Sequence, residues 1–245
     1  MLFPIGDDNR ERTITPYINY LLILANIFVF IWLQDLGENE KFTYKYAAVP
    51  EEIITGRDVI TQDETYEEPA TGEEFTVPGL GATPFSVYIT LLTSIFMHGS
   101  IAHIFGNMLF LWIFGDNIEN RIGHSRYLIF YLICGVLASL AHVYATYTLG
   151  ENLLIPTIGA SGAISGVLGA YILLFPKKRV SVIVFYFITD MPAIAAIGIW
   201  FLFQLISGLG LLGAGAQGGG VAYGAHIGGF ISGMILIKLF AIGRK

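Results

Sequence analysis

The chain has 245 residues, of which 54% are hydrophobic and only 13% charged, about half the charged share of a soluble domain. A globule of this size cannot hide so much apolar surface, so an ordinary soluble enzyme is excluded and lipid is the expected solvent. Nineteen acids against thirteen bases, net −6, argue against a nucleic-acid binder, and a single cysteine, Cys134, excludes an internal disulfide and a multi-cysteine metal site.

Unpaired backbone groups are too costly in lipid for anything but helices or a closed barrel. The apolar runs here are continuous rather than alternating, which predicts helices, six of them. Residues 1–15 read as a cytoplasmic segment carrying Asp7, Asp8 and Glu11 beside Arg10 and Arg12. No small-residue cleavage site follows the first apolar run, so span 1 is expected to persist. Thr15-Pro16, a cap and a first-turn proline, opens it over about 16–34. A long loop over 35–86 then holds twelve acids against Lys41, Lys45 and Arg57. At its end Thr83-Pro84 starts an apolar stretch too short to span. It reads as an interfacial helix over 84–96 on the outer leaflet, the alternative being an extension of span 2.

Spans 2, 3 and 4 are expected at roughly 101–118, 126–148 and 159–175. Between Arg179 and Asp190 lies VSVIVFYFIT, β-branched and aromatic. It is read as an extended segment along the membrane face, so that span 5 opens at Pro192 and runs to about 209. Span 6 covers about 222–241, leaving 242–245 as a tail.

Arg121 and Arg126, then Lys177, Lys178 and Arg179, then Arg244 and Lys245 all fall on one side if six spans alternate. The positive-inside rule makes that side cytoplasmic. The expected fold is therefore an all-α polytopic membrane protein: a six-span core over 16–241, both termini cytoplasmic, with a long first external loop.

Ionisable groups inside spans are expensive and are functional candidates by default. Ser161 lies sixteen residues before Lys177, which at 1.5 Å per residue is ~24 Å above the inner boundary. His226 and His103 each lie eighteen residues from Arg244 and Arg121, ~27 Å, and Asn107 fourteen from Arg121, ~21 Å. Three helices thus deliver a hydroxyl, two imidazoles and an amide to one layer, in the outer third of a ~30 Å core. Span 4 is almost entirely small, and Gly229 and Gly233 follow His226 at +3 and +7. Small-xxx-small ridges allow close backbone approach, which would bring Ser161 and His226 within hydrogen-bond reach. A serine needs a base in contact and donors for the oxyanion it creates. His103, Asn107 and the backbone N–H groups near Ser161 could supply those donors. No acid lies in the outer half of spans 2, 4 or 6.

Three motifs in order resemble the rhomboid family of intramembrane serine proteases. Gly159-Ala160-Ser161-Gly162 resembles its GxSG motif, and Ala225-His226 with Gly229 and Gly233 its AHxxGxxxG motif. His98-Gly99-Ser100-Ile101-Ala102-His103 followed by Asn107 resembles its HxxxxHxxxN pattern. The resemblance implies a Ser161 nucleophile, a His226 base, and an oxyanion site of His103, Asn107 and backbone. It implies substrate approach along Gly159 and Gly162, helix packing at Gly229 and Gly233, no cofactor or metal, and single-pass membrane proteins as substrates cut near the outer face. The expected location is a prokaryotic inner membrane. Two departures stand out: Ser165 occupies the position where some members stack a Tyr on the base, and the Trp-Arg pair of some first loops is absent.

Alone, a GxSG in a Gly/Ala-rich span is ordinary packing surface. His142 is the rival base, but span 3 shows no evident small-residue ridge beside it, so it is assigned to packing. His98 is read as a loop anchor and His124 as an inner-turn group without a role. No HExxH occurs, which disfavours a metalloprotease, and Asp116 and Asp190 lie near the cytoplasmic boundary outside any GxGD pattern. Asn19, Asn26 and Gln204 read as interhelical hydrogen-bond glue, in the absence of the repeats a transporter would show. Trp200 and Phe201 are expected to face lipid or packing. A catalytically inactive relative that binds membrane helices is the alternative from a different functional class.

Overall fold

The computed structural model describes residues 2–67, 72, 74–208 and 222–243; Glu68, Glu73, residue 209, Arg244 and Lys245 of the readings above lie outside them. The chain opens with β1 (Leu2–Asp7) and α1 (Tyr17–Phe28), which continues as a π-helical turn over Val29–Leu33. Loop 35–86 contains α2 (Glu40–Tyr46), α3 (Pro50–Thr55) and the hairpin β2 (Glu64–Glu67) and β3 (Glu74–Val77). A helical stretch over Val87–Phe96, with α4 (Thr90–Thr93) between two 3-10 turns, ends at an extended Met97. It buries Val87, Leu91 and Ile95 at four-residue steps, one face of a helix, and is separate from the long helix that follows. Then come α5 (Ile101–Ile122), α6 (His124–Leu149), α7 (Ser161–Leu174), β4 (Arg179–Val184), β5 (Phe187–Pro192), α8 (Ala193–Gly208) and α9 (Tyr223–Phe240).

Among the described residues, α5, α6 and α9 are long and apolar enough to cross a membrane, whereas residues 17–33, α7 and α8 are shorter apolar helices. At fourteen residues α7 is ~21 Å long, short of the ~30 Å hydrocarbon thickness.

The protein is mostly helical, but the all-α expectation is overturned. β1, β4 and β5 form a three-stranded antiparallel sheet in that order, with Leu2 opposite Val184 and Arg179 opposite Pro192. The β-branched run 180–184 does adopt extended structure, and its partner is the N-terminal segment, more than 170 residues away. Such a pairing is invisible to local periodicity. Pro192 ends β5 rather than opening α8, because its backbone is already committed to the pair with Arg179.

Capping also differs from the local reading. The Thr15-Pro16 signal yields no side-chain cap for α1. Instead the Glu119 carboxylate, from the end of α5, accepts from the N–H groups of Ile18 and Asn19 at 3.0 and 2.7 Å. The same carboxylate meets His124 Nδ1 at 2.5 Å, so that His124, read as roleless, is part of this cap. Asn19 joins three helices: its amide donates to Leu111 O at 2.9 Å and accepts from Tyr127 Oη at 2.7 Å.

Beside this cluster, Asp7 accepts from Tyr171 Oη at 2.5 Å and Asn117 Nδ2 at 2.8 Å. Arg12 donates to Asp116 at 2.7 Å, and Lys178 to Asn117. The N-terminal segment is thus docked by polar contacts to the ends of α5 and α7.

Two outcomes are expected. Glu119→Ala strands two buried N–H groups and should lower stability by about 3 kcal/mol, with Glu119→Gln intermediate, measured by thermal or chemical unfolding in detergent. Burial, only partly offset by the Tyr171 hydroxyl, raises the Asp7 carboxyl from 3.8 to about 6. A raised acid stabilises fully below its unfolded pKa and loses that contribution as pH rises through the folded one. Stability should therefore fall between about pH 4 and pH 6 by a component on the order of 3 kcal/mol. Unfolding curves of Asp7→Asn across that range should lack it.

Candidate active site

The end of the bundle opposite the sheet gathers the polar residues of α5, α7, α8 and α9. Ser161 is the first residue of α7, after Ala160 at the cap. Gly159 before it has φ +123°, a conformation that side-chain-bearing residues rarely adopt, and a methyl there would lie 2.9 Å from His103 Nε2. The Gly159 N–H donates to Ser94 O at 2.9 Å, which holds this turn against the stretch 87–96. Because the first N–H groups of a helix have no intrahelical acceptor, those beside Ser161 remain available to a ligand.

His226, on the first turn of α9, places Nε2 2.8 Å from Ser161 Oγ. Its other nitrogen, Nδ1, lies 2.7 Å from Gln204 Oε1 on α8. The Trp200 ring is 6.0 Å from the imidazole at 36°, and Tyr223 stands edge-on at 6.5 Å. On α5, Ser100 Oγ caps the helix by accepting from His103 N at 3.1 Å. Gly99 N–H points at His103 Nδ1 from 3.4 Å, which assigns the ring proton to Nε2, on the side of Gly159. Asn107 is buried and its amide nitrogen has no partner among the described residues. A small cavity beside the serine is lined by Thr157, Ile158, Gly159, Ser161, Ala222 and Ala225.

Backbone contact between α7 and α9 sets the Ser161–His226 distance. A methyl on Gly229 would collide with the Gly162 carbonyl, one on Gly233 with the Gly166 carbonyl, and one on Gly169 with the Phe230 carbonyl. The facing register on α7 is thus Gly162, Gly166 and Gly169. Ser165 turns its hydroxyl back onto Ser161 O at 2.6 Å. The reading of α6 as lacking a small-residue ridge is also corrected. Its Ala138, Ala141 and Ala145 lie against Gly162, Gly228 and Gly224 respectively, each too close for an added methyl to fit without a shift. His142 sits in that same interface beside Gly224 and carries no bond to the serine.

Loop 35–86 is more than a solvated cover. Ala47, Ala48 and Val49 are buried, and Ala48 pairs with Thr157, four residues before Ser161. Gln34, unremarked in the sequence, donates to His98 O and accepts from His98 N, both at 2.9 Å. His98 therefore anchors the loop, through its backbone.

Comparison with known proteins shows the family. A model of the rhomboid domain matches residues 86–242, well over half of the chain. The chain belongs to the rhomboid family. The matched region includes α5 to α9 and hence Ser161, His226, His103, Asn107 and Gln204, and begins at residue 86, the last of loop 35–86. This rhomboid chain is 30% identical over 147 residues, 60% of its length, to Rhomboid protein 1, mitochondrial, of Saccharomyces cerevisiae. It is 42% identical over 91 residues, 36% of its length, to Rhomboid protease GluP of Bacillus subtilis. It is 34% identical over 93 residues, 38% of its length, to the human Presenilin-associated rhomboid-like protein, mitochondrial. It covers 40%, 16% and 24% of those three proteins respectively.

If the glycine contact sets the site, two glycine variants should diverge. Gly233→Ala should cost about 3 kcal/mol and separate α7 from α9, whereas Gly198→Ala on α8, where an added methyl meets nothing, should be neutral or stabilising by up to about 1 kcal/mol. Thermal unfolding of both variants in the same detergent distinguishes them.

Proposed function

We propose that this rhomboid chain is an intramembrane serine endopeptidase that cuts single-pass membrane proteins in or near their transmembrane segments. The observation that carries this reading is the 2.8 Å contact of Ser161 Oγ with His226 Nε2. Ser161 Oγ attacks the scissile carbonyl while its proton passes to His226 Nε2. The negative charge moves to the carbonyl oxygen, for which the first-turn N–H groups of α7, His103 Nε2–H and the Asn107 amide are the proposed donors. Collapse breaks the C–N bond, and His226 returns its proton to the leaving amine. Water, deprotonated by the same imidazole, then releases the acyl group and restores the Ser161 hydroxyl.

Gly159 carries no side chain into this space, which suits an extended substrate backbone lying beside the serine, whereas Gly162, expected to share that role, faces Ala138 and Ala225 and serves helix packing. A helix held in lipid must unwind to present its carbonyl. A serine at the head of the short α7 meets it below the headgroups yet within reach of water.

In this reading the three shorter apolar helices cross together with α5, α6 and α9, giving six spans. Both termini are then cytoplasmic, by the Arg and Lys distribution, and the site lies toward the external side. The protein is an integral multi-pass membrane protein. Relatives named as mitochondrial and a protease from Bacillus subtilis both match it, so the prokaryotic inner membrane expected from the sequence rests on the second kind of relative alone. The chemistry requires no metal or cofactor.

Purified protein in liposomes, offered a labelled transmembrane substrate, should cleave it, and Ser161→Ala or His226→Ala should reduce cleavage on the order of 10⁴-fold or more. A fluorophosphonate should label the wild type and neither variant. Cleavage surviving Ser161→Ala would reject the nucleophile, and substrate binding without cleavage by the wild type would favour an inactive helix-binding relative.

A further inference from the structure

Resting on the proteolytic reading, we infer that Gln204 is the positioning residue for His226, filling the place that a carboxylate or a stacked Tyr would otherwise take. A neutral imidazole has one N–H and one lone pair. To take the Ser161 proton, His226 must present its lone pair at Nε2, so Nδ1 must carry hydrogen and needs an acceptor. Gln204 Oε1 lies 2.7 Å from Nδ1. With the amide turned the other way its N–H would face Nδ1, which would force the proton onto Nε2 and leave no base. The oxygen-inward orientation is the one compatible with a Ser161–His226 pair.

The placement is built, not incidental. Gln204 is 7% exposed and stands one helical turn after Trp200 on α8, so both reach the same side. Trp200 flanks the imidazole and Tyr223 closes its edge, while Ser165 turns its hydroxyl away onto Ser161 O. Orientation of the base has thus moved from α7 to α8.

An amide also suits the surroundings. A carboxylate at this depth would pay a large desolvation cost, whereas a neutral acceptor fixes the tautomer without introducing charge. The titratable groups facing His226 are His103 on α5, His142 on α6 and Tyr223 on its own helix.

The test uses the full chain in detergent, with cleavage of a labelled transmembrane substrate and, independently, the rate of fluorophosphonate inactivation. Gln204→Met keeps the length and loses the acceptor. It should lower both kcat and the inactivation rate about 10–100-fold, with KM and Tm nearly unchanged. Gln204→Glu restores an acceptor and adds a charge that favours imidazolium. It should recover most of the rate and move the acidic limb of the pH profile upward by about one unit. Wild-type rates in Gln204→Met, or equal losses in both variants with an unmoved acidic limb, would overturn the inference while leaving the Ser161–His226 pair standing. A wild type inert to fluorophosphonate, or labelling that survives Ser161→Ala, would instead remove the underlying reading and this inference with it.

Discussion

Two helices touching backbone to backbone hold this molecule together. Where Gly229 and Gly233 of α9 rest on the Gly162 and Gly166 carbonyls of α7, there is no room for even a methyl group. In lipid, helices are not driven together by apolar burial, since the tails are as apolar as the side chains; close van der Waals contact and polar bonds must do it. Two side chains one turn or less from this contact, Ser161 and His226, inherit its precision. A wider helix separation would open the 2.8 Å contact without altering any residue of the pair.

The two ends of the bundle use polar groups differently. At the end carrying the sheet, polar groups are paired for anchorage: Glu119 caps α1, Asn19 ties three helices, and Asp7 docks the N-terminal strand. At the other end some are left open. The Asn107 amide nitrogen has no partner among the described residues, and the first N–H groups of α7 have no intrahelical acceptor. A buried donor without an acceptor destabilises the resting protein, and it is also what a developing oxyanion requires.

Loop 35–86 links these themes. Its acidic composition suggests a solvated cover, yet Ala48 pairs with Thr157, and Gln34, the residue just before the loop, bonds both the loop's Thr43 and the backbone of His98. Both contacts lie within a few residues of the serine or of His103. The segments leading into α5 and α7 are therefore located from outside, by a loop of which only the last residue falls in the region matched by the family model.

Much was legible in the chain itself. The apolar runs located the helices to within a few residues, because lipid forces each run to satisfy its own backbone. The spacing of Ser161, His226 and His103 from the basic residues put them in one layer, because helical rise is constant, and the structure brings His226 to Ser161 and His103 to Gly159. Pairings between distant segments were not legible: β1 with β4, Glu119 with α1, Gln204 with His226, and the Gly162–Gly166 register of α7 against α9. Each depends on how rigid helices are rotated about their axes and on which termini meet. Those quantities arise only when the whole bundle packs, and no local pattern of residues encodes them.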